Sequence, residues 1–208
     1  MTVKWEVRLD ATAFNPGQFP EPGVPEFAVA GRSNVGKSSL INRLLGAKLA
    51  HVGAKPGKTR SINFYTVVCP SGSFRLVDLP GYGYASRSKG ERRQWSSLIE
   101  AYVTSRPALA LVLHLADFRH GLIAGDPALQ DWICSLGLPV LVVFTKGDKI
   151  SKGTRKSALY KYIKSGLKSV DVPIVTSAEN GDGIAELRNF LEAYLSSLSE
   201  PHGKLTDN

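Results

Sequence analysis

The eight residues GRSNVGKS, at positions 31–38, constrain this chain more than any other stretch. They follow an apolar run, Phe27 to Ala30, and precede a segment in which Leu40, Ile41, Leu44 and Leu45 recur at helical spacing. A glycine-bounded loop between a buried strand and an amphipathic helix can turn its backbone N–H groups inward at the positive end of the helix. Such a loop cradles phosphate oxygens. Gly31 and Gly36 permit the close wrapping, Arg32, Ser33, Asn34 and Val35 lie between them, and Ser39 follows. Lys37 is expected to reach the β- and γ-phosphates of a bound nucleotide, and the Ser38 hydroxyl to ligate Mg²⁺. Chance alone would produce this pattern in a chain of this length roughly a few per cent of the time, and the strand-loop-helix context lowers that further.

The rest of the chain supplies a frame for such a loop. The near-continuous apolar runs ALALVLHLAD and LPVLVVFTK suit central strands covered on both faces, and PIVTSA is a shorter third. SINFYTVVCPSGSFRLVD predicts a β-hairpin, and Lys4 to Leu9 a short strand before it. Helices are predicted over 92–104, 153–165 and 183–197, the second directing Lys161 and Lys164 away from Leu159 and Ile163. Strands alternating with helices imply an α/β fold of three layers, a P-loop domain with a mainly parallel six-stranded sheet. The hairpin contributes one antiparallel strand at an edge. Residues 1–24 are expected to form an N-terminal extension, 25–198 the domain and 199–208 a polar tail.

Three further motifs complete a nucleotide site. In DLPG, Asp78 ends a strand and would hold a metal-bound water, while the Gly81 N–H would sense a γ-phosphate; Leu79 and Pro80 lie between them. A second hydroxyl for Mg²⁺ should come from between Ser38 and Asp78. Thr66 sits inside a strand, so Thr59 is favoured, in a loop whose Gly57, Lys58, Arg60 and Ser61 would also meet the nucleotide. In TKGD, Thr145 to Asp148, the carboxylate can accept from both N1–H and the 2-amino group of guanine. Adenine lacks both donors and would leave the carboxylate desolvated and unpaired, which argues against an ATPase or kinase. Lys146 can lie over the base plane beside Gly147. TSA, Thr176, Ser177 and Ala178, offers backbone N–H groups to the guanine carbonyl.

The order and spacing of these motifs resemble the translation-factor-like GTPase domain. GRSNVGKSSLIN, KPGKTRSINFY, LVDLPGYGYA, the DFRHG stretch and TKGD more closely resemble the EngB family of bacterial GTPases, over residues 25–195. Most of the wider class has asparagine at the position of Thr145, whereas EngB proteins commonly have threonine. The resemblance implies a GTP/GDP switch in assembly of the large ribosomal subunit, with a role in cell division. Tyr82 stands where Ras-type enzymes have the glutamine that orients the attacking water. In potassium-dependent relatives, an asparagine at the position of Asn34 ligates K⁺ beside the phosphates. Lys37, Asn34, Thr59 and Gly81 are therefore the expected catalytic set, with slow turnover that K⁺ or a partner stimulates. The alternative is a nucleotide-regulated RNA-binding scaffold with negligible hydrolysis.

Composition narrows the setting. The 208 residues carry a net charge of +8 and only two cysteines, without metal-ligand spacing. No secretory signal is visible and no apolar run is long enough to span a bilayer. A cytoplasmic monomer without membrane contact is expected. Eight cations against one acid fall within residues 146–168 (Lys146, Lys149, Lys152, Arg155, Lys156, Lys161, Lys164 and Lys168 against Asp148), and Arg87, Lys89, Arg92 and Arg93 form a second cluster. Both tilt the expectation toward RNA of the ribosomal subunit.

Overall fold

The computed structural model describes residues 4–50, 61–83 and 89–199, the side chains of 89–96 apart. Seven strands form one sheet: β1 (Glu6–Ala13), β2 (Glu26–Gly31), β3 (Ile62–Cys69), β4 (Gly72–Asp78), β5 (Leu109–Asp117), β6 (Val140–Thr145) and β7 (Ile174–Val175). Their spatial order is β1-β3-β4-β2-β5-β6-β7. The expectation of six strands is corrected here. The strand near the N-terminus runs on to Ala13 and pairs antiparallel with β3, so it belongs to the sheet. Only β3 runs against the others, and because β1 lies outside it, that strand is not at the edge.

Among the described residues five helices cover the sheet: α1 (Lys37–Leu45), α2 (Lys89–Ser105), α3 (Asp126–Ser135), α4 (Lys152–Lys164) and α5 (Ile184–Ser199). Side chains alternate across β2, so Phe27 and Val29 join α1 and α5 in one core. Ala28 and Ala30 face the other way, with Leu98, Ile99 and Tyr102 of α2 and Ile133 of α3. Every residue of β2 and β6 is buried, which is why both are apolar except at one end: Glu26, which pairs with Arg106 (2.6 Å), and Thr145. α4 differs from the other helices. It has no buried residue, and Ile163, expected on its inner side, is 40% exposed. The helix is held instead by half-buried Ala158, Leu159 and Tyr162 against Phe118 and Phe144, with the Tyr162 hydroxyl donating to the Phe118 carbonyl (3.0 Å).

The carboxyl ends of β2, β4, β5 and β6 therefore lie side by side, and each carries one of the motifs at its exit. A crevice at the carboxyl ends of parallel strands is where open α/β sheets bind ligands.

Candidate functional site

The phosphate side is built by the turn from β2 into α1. Asn34 (φ 65°) and Gly36 (φ 104°) adopt left-handed backbone, which bends the chain tightly enough to enclose an anion. Gly31 has a different duty: a Cβ there would stand 3.0 Å from both Leu115 Cβ and Val35 Cγ1. Among the described residues no side chain caps the start of α1, which leaves its first N–H groups for a ligand. Lys37 and Asp78 are both buried and form an ion pair. The lysine thus neutralises, in the protein itself, the carboxylate that the sequence assigns to metal-bound water. Ser38 and Ser39 are half-buried beside it. Ser61 is buried at the head of β3, whereas Gly57, Lys58, Thr59 and Arg60 lie outside the described residues.

The donor set fits Mg²⁺. Ser38 and Asp78 present oxygen atoms, the ligand type this hard cation takes. Among the described residues no group of three or more His, Cys, Asp and Glu could hold a metal. An all-protein cage is not what Mg²⁺ uses in such sites, where one or two side chains and substrate phosphates suffice.

The base side hangs from β6. The Thr145 hydroxyl donates to the Val35 carbonyl (2.6 Å), with the Ala116 carbonyl at 3.2 Å, so this buried side chain braces the phosphate loop. Lys146, itself left-handed (φ 58°), donates to the Asn34 carbonyl (2.9 Å) and pairs with Asp117 (3.0 Å). Asp117 also accepts from Arg119 through both oxygens, at 2.9 and 2.7 Å. Burial works to raise the Asp117 pKa, but the bonds from Arg119 and Lys146 outweigh it and hold the carboxyl well below its usual range. The Gly147 N–H donates to the Thr176 carbonyl (2.9 Å), and a Cβ on Gly147 would come within 2.8 Å of Val175 Cγ1. The Ser177 hydroxyl donates to Asp148 (2.7 Å), lowering that carboxyl's pKa and fixing its direction. Of the three N–H groups in TSA, Thr176 is spent on Phe144 and Ser177 on Asp182. Ala178 keeps the donor that no described residue uses. A cleft of about 840 Å³ adjoins this side, bounded at one end by Ser39 and Ala178.

The segment after Asp78 folds back on the phosphate loop. The Tyr82 N–H donates to the Gly31 carbonyl (3.2 Å) and the Ser33 N–H to the Tyr82 carbonyl (2.9 Å), extending the β2–β4 pairing by one bridge. The Tyr82 hydroxyl meets Asp126 Oδ1 at 2.9 Å and His114 Nε2 at 2.7 Å. Arg32 points toward the same place, donating to the Ala124 carbonyl (2.7 Å) and lying 3.9 Å from Asp126. Its side chain therefore turns from the phosphate cradle, and only its backbone remains placed for a nucleotide. His114, Asp117 and Asp126 were not among the residues expected at the site. The visible signals were a histidine inside the apolar run ALALVLHLAD, for His114, and the DFRHG stretch, which begins at Asp117.

The family described as 50S ribosome-binding GTPase matches residues 26–146, which holds the P-loop, DLPG and the start of TKGD. A probable GTP-binding protein EngB from Kosmotoga olearia is 46% identical over 192 residues, covering 92% of this chain and 99% of that protein. Its counterpart from Syntrophomonas wolfei is 42% identical over 191 residues, covering 91% and 97%. This chain belongs to the EngB family of GTP-binding proteins. The crystal structure of a probable GTP-binding protein engB shares its fold, with a TM-score of 0.65 and 24% identity over 83% of this chain and 99% of that one. Era in complex with MgGDPNP and nucleotides 1506–1542 of 16S ribosomal RNA gives a TM-score of 0.69 at 28% identity, covering 84% of this chain and 57% of that one. Family membership makes this EngB-family chain a GTP-binding GTPase with an α/β P-loop fold. The hydroxyl of Thr145 is long enough to brace Val35 without an amide.

Proposed function

We propose that this protein is a slow GTP-hydrolysing switch, cytoplasmic and monomeric, that acts on the large ribosomal subunit during assembly and so supports normal cell division. The observation that carries the ribosomal part is the match to a family described as 50S ribosome-binding. α4 supports it: Lys152, Lys156 and Lys161 are exposed and make no ion pair with a described residue. Among the described residues no helix is long and apolar enough to cross a membrane.

In this reading, backbone N–H groups of residues 31–39 wrap the phosphates, and Lys37 leaves Asp78 for the β- and γ-phosphate oxygens. Ser38 and Thr59 would hold Mg²⁺ directly, and Asp78 would do so through water. The bound metal supplies positive charge against the oxygens on which charge builds during phosphoryl transfer. Gly57, Lys58, Arg60 and Ser61 are assigned to the nucleotide by their sequence motif, as are Leu79, Pro80 and Gly81, the last through its N–H to the γ-phosphate. Thr145, Lys146, Gly147 and Asp148 face the base, with Thr176, Ser177 and Ala178 along its edge. Asn34, exposed at its left-handed turn, presents an amide oxygen suited to K⁺. Asn34→Gly tests that role, because glycine tolerates the same backbone. Faster turnover in KCl than in NaCl, abolished in the variant, supports it; equal rates in both salts sink it.

A scaffold with negligible hydrolysis is the second reading, favoured by the tethering of Tyr82 away from the cradle. Phosphate release in KCl separates the two. The ribosomal role is tested by co-sedimentation with purified large subunits in GDP and in a non-hydrolysable GTP analogue. Tighter binding with the analogue is expected, and no binding in either state would refute it.

A further inference from the structure

Tyr82 occupies the glutamine position of Ras-type enzymes, and its side chain is committed elsewhere. Asp126 is 1% exposed and His114 fully buried, so the hydroxyl enters a closed polar pocket. A carboxylate only accepts, so the Tyr82 hydroxyl donates to Asp126 and accepts from the imidazole. That assigns the proton to His114 Nε2, and it leaves Nδ1 bare. Nδ1 is in fact the one buried side-chain polar atom without a partner among the described residues. The second Asp126 oxygen accepts from the Ile123 N–H (2.9 Å), which anchors the acceptor to the loop before α3.

This tether sets where the backbone lies. With Tyr82 docked, its carbonyl consumes the Ser33 N–H. Gly81 packs backbone to backbone on the same residue: a Cβ there would lie 3.1 Å from both Ser33 N and Ser33 Cα. A γ-phosphate read by the Gly81 N–H must sit between that glycine and the phosphate loop. In this arrangement Gly81 lies directly against Ser33 of that loop. A diphosphate needs no room there.

We propose that Tyr82 and Asp126, with His114, are specificity-determining positioning residues that favour GDP by docking the DLPG segment on Ser33, and that GTP must break this contact to bind. The inference rests on the reading of the site as a GTP/GDP switch. A ligand that binds only the undocked state loses apparent affinity in proportion to the docked population. Removing one hydrogen bond to a charged group shifts such a population by about tenfold.

The test compares wild type, Tyr82→Phe and Asp126→Asn for binding of GDP and of guanosine 5′-imidotriphosphate, both with Mg²⁺, by titration calorimetry. Phenylalanine keeps the ring and loses only the hydroxyl. Tyr82→Phe is expected to bind the triphosphate analogue about tenfold more tightly while GDP affinity moves less than about twofold. Asp126→Asn should change the ratio in the same direction. An unchanged ratio in Tyr82→Phe, or an equal change for both nucleotides, would overturn the proposal, since a merely structural role would alter both alike. Wild type that bound neither nucleotide would overturn the underlying reading instead.

Discussion

Thr145 reaches across from the end of β6 to donate a hydrogen bond to the Val35 carbonyl, 2.6 Å away in the phosphate loop. Both groups are buried, so the bond joins the base side of the site to the phosphate side without water between them. Thr145→Val keeps the shape and removes the donor, leaving the Val35 carbonyl unsatisfied at a cost of about 1–3 kcal/mol. GDP dissociation from this variant should be about tenfold faster, with denaturation showing a comparable loss of stability. An unaltered dissociation rate would mean the loop holds its shape without the brace.

The proposed site assigns base recognition to Asp148, whose carboxylate accepts from the Ser177 hydroxyl. Asp148→Asn exchanges one acceptor for a donor, which suits xanthine, with its N1–H and C2 carbonyl, better than guanine. Competition binding should show weaker GTP and stronger xanthosine triphosphate binding. GTP affinity equal to wild type would remove Asp148 from the base site.

Burial lowers the His114 pKa to about 4, against about 6.5 for an unperturbed histidine. Between those values the unfolded chain binds a proton that the folded chain refuses. Stability from this residue is therefore present above about pH 6.5, and it is lost as pH falls toward 4, by up to roughly 1.4 kcal/mol per unit. Urea midpoints at pH 7, 6 and 5 should fall more steeply for wild type than for His114→Gln. Parallel curves would show that some other group carries the pH dependence.

The phosphate loop, DLPG and TKGD are legible in the sequence because each demands its own residues locally: glycine at Gly36 and Gly147, hydroxyl at Ser38, carboxylate at Asp148. The hydrogen bonds that join these motifs are not. Tyr82 meets His114 and Asp126 across 32 and 44 positions of chain, a pairing that no local pattern encodes. The alternation of polar and apolar residues that predicts β1 does not stop at Leu9 but runs on through Asp10 and Ala11 to Ala13; the low strand propensity of aspartate and alanine is what hides the second half. The structure places a register shift between Leu9 and Ala11, with Asp10 paired to Arg75 (2.9 Å), and the strand continues beyond it. α3 escapes the helical pattern because its buried residues are Asp126, Gln130 and Ile133, so its inner face is not an apolar stripe.

Charge is the least reliable guide. Of the eight cations in 146–168, Lys146 pairs with Asp117, Lys149 with Asp148, Arg155 with Asp182 and Lys168 with Asp131. Arg87 lies outside the described residues, as do the side chains of Lys89, Arg92 and Arg93. What remains for a polyanion is the outer face of α4: Lys152, Lys156, Lys161 and Lys164, the last 4.7 Å from the centroid of the Tyr160 ring, which is 59% exposed. An aromatic ring beside lysines offers both a stacking surface and phosphate-binding cations. Because α4 buries no residue, Lys156→Ala, Lys161→Ala and Lys164→Ala together should cost little stability. Each RNA phosphate that is no longer neutralised should reduce the log–log salt slope by roughly one unit, by analogy with DNA. The triple variant is expected to bind large subunits with a slope about two to three units shallower, in GDP and in the GTP analogue alike, since α4 does not touch the segment that Tyr82 tethers. A slope equal to wild type would remove this face from the interface and return the search to α2.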